Sequence, residues 1–193
     1  MLAAQARRLN RDAGAPAVPS LYFFTDPART PDPVAIARRL PRGAAVVYRH
    51  FGAEDRVEVA DALAAQCRIR GLALLIGADL ELARRVGAGV HWPERLMPSR
   101  RTNAPLVTVS AHTRTAVTRA ADVADACVIS PVFPTRSAAG RKPLGLFAAS
   151  QIARAAALPI IALGGVTTQT ARRLAGRGFA GLAAVDAFLE VSA

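Results

Sequence analysis

The stretch LPIIALGGVTTQTARRLAGRGFAGLAAVDAF, Leu158–Phe188, decides how this chain is read. Pro159 to Leu163 is an apolar run with the character of a buried strand, and Gly164-Gly165 ends it in a turn. Thr167 or Thr168 then caps a helix, and Gly181 to Val185 makes a second apolar strand. Two glycines directly after a strand let the backbone come close to a ligand, because neither carries a Cβ. A helix start just beyond them adds N–H donors and a positive dipole end, which together suit a phosphate. At the end of a strand–helix series, such a unit matches the phosphate site of a (β/α)₈ barrel, built from the loops after strands 7 and 8.

The rest of the chain supplies that series. Strand-like runs fall at Leu21–Thr25, Ala44–Tyr48, Leu72–Ile76, Gly89–Trp92, Leu106–Ser110 and Ala126–Ser130, and the two runs above bring the number to eight. Helical patterns lie between them, as at 57–71 and 146–156, where apolar residues recur at spacings of three and four. Strands apolar on both faces and alternating with helices indicate a parallel sheet in an α/β protein. Eight such units in 193 residues favour closure into a small TIM barrel over an open doubly wound sheet. No G-x-G-x-x-G follows the first strand, which removes the main dinucleotide-binding signal. PERLMPSRRTNA (93–104) takes the place of a full helix, so the barrel is expected to be trimmed after strand 4. Residues 1–18 read as an N-terminal capping helix and linker within a single domain spanning 1–193, and 131–145 as a loop over the barrel mouth.

Composition narrows the functional classes. The net charge of +11 rests almost wholly on arginine, Lys142 being the only lysine. The paired arginines Arg38-Arg39, Arg84-Arg85 and Arg172-Arg173 fall on helical segments, where a solvated outer face is the ordinary role. Aromatic residues make up 5% of the chain and do not interleave with the basic ones, which argues against a nucleic-acid stacking platform. Cys67 and Cys127 lack metal or redox spacing and read as reduced core thiols. No apolar run is long enough to span a bilayer, and a cytoplasmic location is expected.

Chemistry in this fold sits at the C-terminal strand ends. Those ends hold Asp26, Arg49, all three histidines (His50, His91, His112), Asp79, Ser110, Ser130, Gly164-Gly165 and Asp186. Arg49 closes an apolar strand and needs an anionic or carbonyl partner. That partner is either a ligand or a carboxylate at a neighbouring strand end, Asp26 or Asp79. The three histidines as transition-metal ligands are the alternative to packing or hydrogen-bonding roles.

Taken in order, these ends resemble the thiamine phosphate synthase family, which includes a thiazole tautomerase branch. LYFFTD (21–26), VVYR (46–49), LLIGADLELA (74–83), GAGVH (87–91), SAHT (110–113), SPVFPT (130–135) and ALGGV (162–166) carry the resemblance from Leu21 to Phe188. It implies a transferase of thiamine biosynthesis that joins hydroxymethylpyrimidine diphosphate to a thiazole phosphate and releases pyrophosphate. Mg²⁺ and cations would stabilise the departing pyrophosphate. By the same resemblance Arg49 holds the diphosphate, with Arg136, Arg141 or Lys142 of the loop within reach, and Ser110 stands on the pyrimidine side. Thr135 and Ser137 supply hydroxyls for the thiazole phosphate, while Gly164-Gly165 and the Val185-Asp186 turn supply amides.

Several positions depart from the family pattern. The metal-binding carboxylates are replaced at Ala78 and Leu96, leaving Asp79 and Glu94 as candidate Mg²⁺ ligands. Asp186 replaces a serine beside the phosphate, where its carboxylate either repels that phosphate or caps a short helix at 187–191 with its side chain turned away. The tautomerase branch relies on a histidine where this chain has Pro131, although His112 or His50 offers an alternative proton shuttle. A phosphate- or thiazole-binding paralogue without transfer chemistry is the remaining alternative. The partners implied are small phosphorylated heterocycles, and exposed apolar helix faces would allow a homodimer.

Overall fold

A strand that is apolar on both faces needs cover on both, and a ring of such strands inside a ring of helices provides it. The computed structural model describes residues 1–135 and 142–188. Eight strands run β1 Leu21–Phe24, β2 Ala45–Tyr48, β3 Ala73–Gly77, β4 Gly89–Trp92, β5 Val107–Ala111, β6 Ala126–Ile129, β7 Ile160–Ala162 and β8 Gly181–Ala184. Each pairs in parallel with the next, and β8 pairs back onto β1 through Leu182↔Leu21 and Ala184↔Phe23, closing the barrel.

Seven α-helices surround it among the described residues: α1 Leu2–Asp12, α2 Pro33–Ala37, α3 Arg56–Arg70, α4 Leu80–Val86, α5 Arg114–Ala120, α6 Leu146–Ala155 and α7 Thr168–Arg172. Between β4 and β5 there is only a 3₁₀ turn, Glu94–Leu96, which is the trimming expected from the sequence. The expected helix at 187–191 begins instead as a 3₁₀ turn, Asp186–Phe188. No described helix is long and apolar enough to cross a membrane.

The period-two alternation of side chains splits the core in two. Phe23, Val46, Ile76, Val109, Ile129 and Leu182 face the helices in the larger cluster. Their neighbours Tyr22, Phe24, Val47, Leu75, Val128, Ile161 and Ala183 fill the barrel itself. Continued by two residues toward the C-terminal ends, the inward row changes from apolar to polar: Val47 leads to Arg49 and Val128 to Ser130. The opposite end is closed by α1, whose Asn10 amide donates to the carbonyls of Ala15, Val18 and Ala180 at 2.7, 3.3 and 3.3 Å.

Candidate functional site

A cavity of about 800 Å³ opens at the C-terminal ends of the strands. Its wall includes Asp26, Arg29, Arg49, His112, Ser130, Thr135, Gly164 to Gln169, and Ala183 to Ala187. The Gly164-Gly165 turn is shaped by a neighbouring loop. A Cβ on Gly164 would lie 2.7 Å from Pro131, and one on Gly165 only 2.4 Å from the Pro134 carbonyl oxygen. Both glycines have positive φ, 93° and 63°. The missing side chains therefore admit the loop after β6, which also hydrogen-bonds here through Val132 N–H to the Leu163 carbonyl and Phe133 N–H to that of Gly164.

The helix that follows contributes less to this wall than its sequence promised. Helix α7 has five residues, too few for a sizeable dipole. Thr167 is its cap and forms a reciprocal box with Thr170: the Thr170 N–H reaches Thr167 Oγ1 at 3.2 Å, and the Thr167 N–H reaches Thr170 Oγ1 at 2.8 Å. The amides of Gly164, Gly165 and Val166 donate to nothing among the described residues and are left for a ligand.

Across the seam where the barrel closes, Arg29 holds two carboxylates together. Its Nη2 donates to Asp26 Oδ2 at 2.8 Å, and its Nη1 to Asp186 Oδ1 and Oδ2 at 2.9 and 3.1 Å. The hydrogen bond from Arg29 lowers the Asp26 pKa from its ordinary value, and the same bond raises that of Arg29. Asp186 thus stands on the cavity wall with its carboxylate on Arg29, and of the two alternatives read from sequence the cap turned away from the pocket is not the one found. Arg29 is the residue that sequence reasoning missed. Its only signal was its place three residues after Asp26 in the loop beyond β1.

Arg49 lies over the Phe24 ring at 5.1 Å, and its Nε donates to the Thr25 carbonyl at 2.9 Å. Burial pulls its pKa below the usual arginine value; Asp26 opposes this and Arg29 adds to it. Neither Asp26 nor Asp79 comes within ion-pair distance of Arg49, and its Nη1 and Nη2 have no hydrogen-bond partner among the described residues. A guanidinium held this way calls for an external anion.

Beneath it, His91 Nδ1 meets Thr108 Oγ1 at 2.8 Å and its Nε2 meets Ser110 Oγ at 2.9 Å. Burial, aided by the Arg49 charge, lowers the His91 pKa to about 3, so this ring is neutral. Ser110 belongs to that buried chain and does not line the cavity. His112 does line it. Its Nδ1 lies 2.5 Å from the Ser130 carbonyl oxygen, which can only accept, so Nδ1 carries a proton, and Nε2 has no partner among the described residues.

On the side formed by the loops after β2, β3 and β4, polar groups are engaged with one another. Arg56 donates to the carbonyls of His50 (2.9 Å) and Gly77 (3.0 Å), packs over Tyr48 and Phe51, and lies 3.8 Å from Asp79 Oδ2. Asp79 Oδ1 accepts the Leu82 N–H at 2.9 Å as the cap of α4. Glu94 Oε2 accepts the His112 N–H at 2.7 Å. Among the described residues no three His, Cys, Asp or Glu side chains come together to hold a metal. With Asp79 and Glu94 engaged in this way and His50, His91 and His112 in separate settings, the donor set does not fit a divalent cation.

The structure thus brings together Arg49, His112, Thr135, Gly164, Gly165, Val185 and Asp186 around one cavity. Asp79, Glu94 and the exposed Lys142 are not on its wall. Arg136, Ser137 and Arg141 lie outside the described residues.

Known proteins share the sequence pattern and the fold. The family model described as Thiamine monophosphate synthase matches residues 21–188. A thiamine-phosphate synthase of Chlorobium luteolum is 33% identical over 184 residues, covering 89% of this chain and 86% of that protein. One from Bacillus velezensis is 29% identical over 187 residues, covering 89% and 84%. Among solved structures, a thiamine phosphate pyrophosphorylase from Pyrococcus furiosus superposes with a TM-score of 0.76 at 22% identity, covering 94% and 87% of the two chains, and so shares the fold. On barrel, motif order and sequence match alike, this chain belongs to the thiamine monophosphate synthase family.

Proposed function

We propose that the chain joins hydroxymethylpyrimidine diphosphate to a thiazole phosphate. In that reaction the bond between the pyrimidine methylene carbon and the diphosphate oxygen breaks, pyrophosphate departs, and the thiazole ring nitrogen bonds to the methylene carbon. The observation that carries this reading is Arg49, a part-buried cation whose Nη1 and Nη2 lack partners among the described residues and which shares a cavity with the Gly164–Val166 amides. The two features give the cavity two anion-accepting ends, one for the leaving diphosphate and one for the thiazole phosphate. Arg49 opposes the charge that develops on the departing oxygens. Thr135 and the amide turn hold the acceptor.

The test supplies both substrates to purified protein and measures thiamine phosphate by mass spectrometry. Arg49→Gln is expected to reduce turnover about a hundredfold with the fold intact. Absence of product at enzyme concentrations equal to substrate sinks the reading.

One observation favours a second reading, acid–base isomerisation of a phosphorylated thiazole. His112 stands on the cavity wall with Nδ1 tied to the Ser130 carbonyl and Nε2 without a partner among the described residues, the placement a proton shuttle requires. In that case His112→Asn abolishes isomerisation and leaves binding of the thiazole phosphate in place.

A further inference from the structure

The two carboxylates on Arg29 are held differently, and the difference points to how the phosphate end works. Asp26 is locked to the backbone: its Oδ1 accepts the N–H groups of Ala28 and Arg29 at 3.1 and 3.2 Å, while its Oδ2 takes Arg29 Nη2 at 2.8 Å. Its side chain is 26% exposed. Asp186 has no such anchor among the described residues. Both of its oxygens share the single nitrogen Nη1, and its side chain is 55% exposed. A three-centre contact on one nitrogen is weaker than a parallel fork, and water screens an ion pair so exposed.

Asp186 lines the same cavity as the Gly164–Val166 amides. A phosphate seated on those amides is brought beside a carboxylate of like charge, and Arg29 is the cation both can use. We propose that Asp186 occupies on Arg29 the place that the ligand's phosphate takes, so that binding proceeds by exchange of carboxylate for phosphate at this guanidinium. Asp26 keeps Arg29 in place throughout, and the displaced Asp186 side chain turns to water. The inference rests on the reading of this cavity as a phosphate site. It explains how an aspartate is tolerated where the family has a serine: without ligand it is Arg29's counter-ion, and with ligand it is solvated. Asp186 then sets phosphate affinity, lowering it by the work of exchange.

Calorimetry with inorganic phosphate, and separately with hydroxyethylthiazole phosphate, tests this on the full chain. Asp186→Asn, with Asp186→Ser as a second variant, is expected to bind each probe about tenfold more tightly, because the resident competitor is gone. Asp26→Asn is expected to bind about tenfold more weakly, because Arg29 loses its anchor. Simple repulsion between Asp186 and phosphate would also give a gain at position 186, but that gain would persist without the arginine. Exchange requires it to shrink below about twofold in an Arg29→Gln background. Unchanged or weaker binding by Asp186→Asn overturns the proposal, as does a gain that survives in Arg29→Gln, or the absence of phosphate binding in both parent and variant. A chain that forms no thiamine phosphate yet shows this pattern loses the transfer reading and keeps the exchange; the reverse result removes the exchange alone.

Discussion

On the side of the mouth built by the loops after β6, β7, β8 and β1, amides and guanidinium groups line an open cavity of about 800 Å³. On the side built after β2, β3 and β4, groups of the same chemical kinds close on one another: Arg56 on two carbonyls and Asp79, Glu94 on the His112 amide. Buried polar groups need partners, and on this side the protein supplies them for Arg56, Asp79 and Glu94, while the buried His50 Nε2, Trp92 Nε1 and Thr102 Oγ1 have none among the described residues. Residue type alone does not separate the halves, since each holds arginine and aspartate at strand ends. What separates them is where the partners come from, and the substitutions below are chosen to move that boundary.

The largest effect is expected at Gly165. Its positive φ and a Cβ position 2.4 Å from the Pro134 carbonyl oxygen leave alanine no relaxed placement, because both obstacles are backbone. Gly165→Ala should destabilise by about 3 kcal/mol in urea unfolding, or displace the loop after β6 and remove phosphate binding. Gly77→Ala is the matching change on the filled side. There the new Cβ meets the Tyr48 carbonyl oxygen at 3.0 Å and the rim of the exposed Phe51 ring at 3.1 Å. The ring can swing away, so the loss should be nearer 1 kcal/mol. Equal losses would erase the distinction between a 2.4 Å backbone approach at positive φ and a 3.0 Å one beside a movable ring.

Beneath both halves, His91 gives the shared floor a pH signature. Its folded pKa of about 3 lies below the ordinary histidine value, so the unfolded chain binds the proton first as pH falls. Stability is therefore full above about pH 6.5, declines below it, and drops by roughly 1–2 kcal/mol between pH 6.5 and 5. His50, lowered in the same direction by burial, adds to that slope. Thermal unfolding of His91→Gln over this range should show a flatter acid limb. An unchanged limb would mean that the ring is protonated in place.

The fold was legible because eight apolar runs and their spacing leave few alternatives, and β1 to β8 fall within two residues of the runs read from sequence. The cavity wall was legible in part. Arg49, Gly164 and Gly165 announce themselves as a charge closing a strand and as paired glycines after one. Why the glycines are needed was not legible: their missing side chains make room for Pro131 and Pro134, about thirty residues earlier in the chain. Arg29 and Asp186 were opaque for a similar reason. They sit 157 residues apart and meet only because β8 closes on β1, which spacing along the chain does not reveal. Strand alternation says that Ser110 faces inward, but not that His91 Nε2 meets its hydroxyl.

Asp79 separates a structural role from a metal-binding one. As the cap of α4 it should cost about 1 kcal/mol when changed to alanine, through the unpaired Leu82 N–H. That loss should be the same with and without added Mg²⁺. A loss seen only in the presence of Mg²⁺ would return Asp79 to the metal and open the filled half to a ligand.

The smallest effect sits one residue earlier and reverses the sign of the first. Ala78 has φ of 54°, the only non-glycine residue with positive φ among those described, and its N–H donates to the His91 carbonyl at 2.9 Å. That bond holds the turn after β3 in a left-handed conformation, which costs an L-residue with a Cβ about 1 kcal/mol. It also leaves Asp79 free to cap α4. Ala78→Gly removes the steric strain and loosens the unfolded chain, and the two contributions leave a net gain of about 0.5 kcal/mol. The urea midpoint should rise with its slope unchanged. Glycine to alanine at the open half and alanine to glycine at the filled half then have opposite signs for one reason: the conformation of each turn is set by what packs against it. A destabilised Ala78→Gly would show that the Ala78 methyl group contributes packing that outweighs its strain, and the filled half would owe its closure to that contact as much as to Arg56.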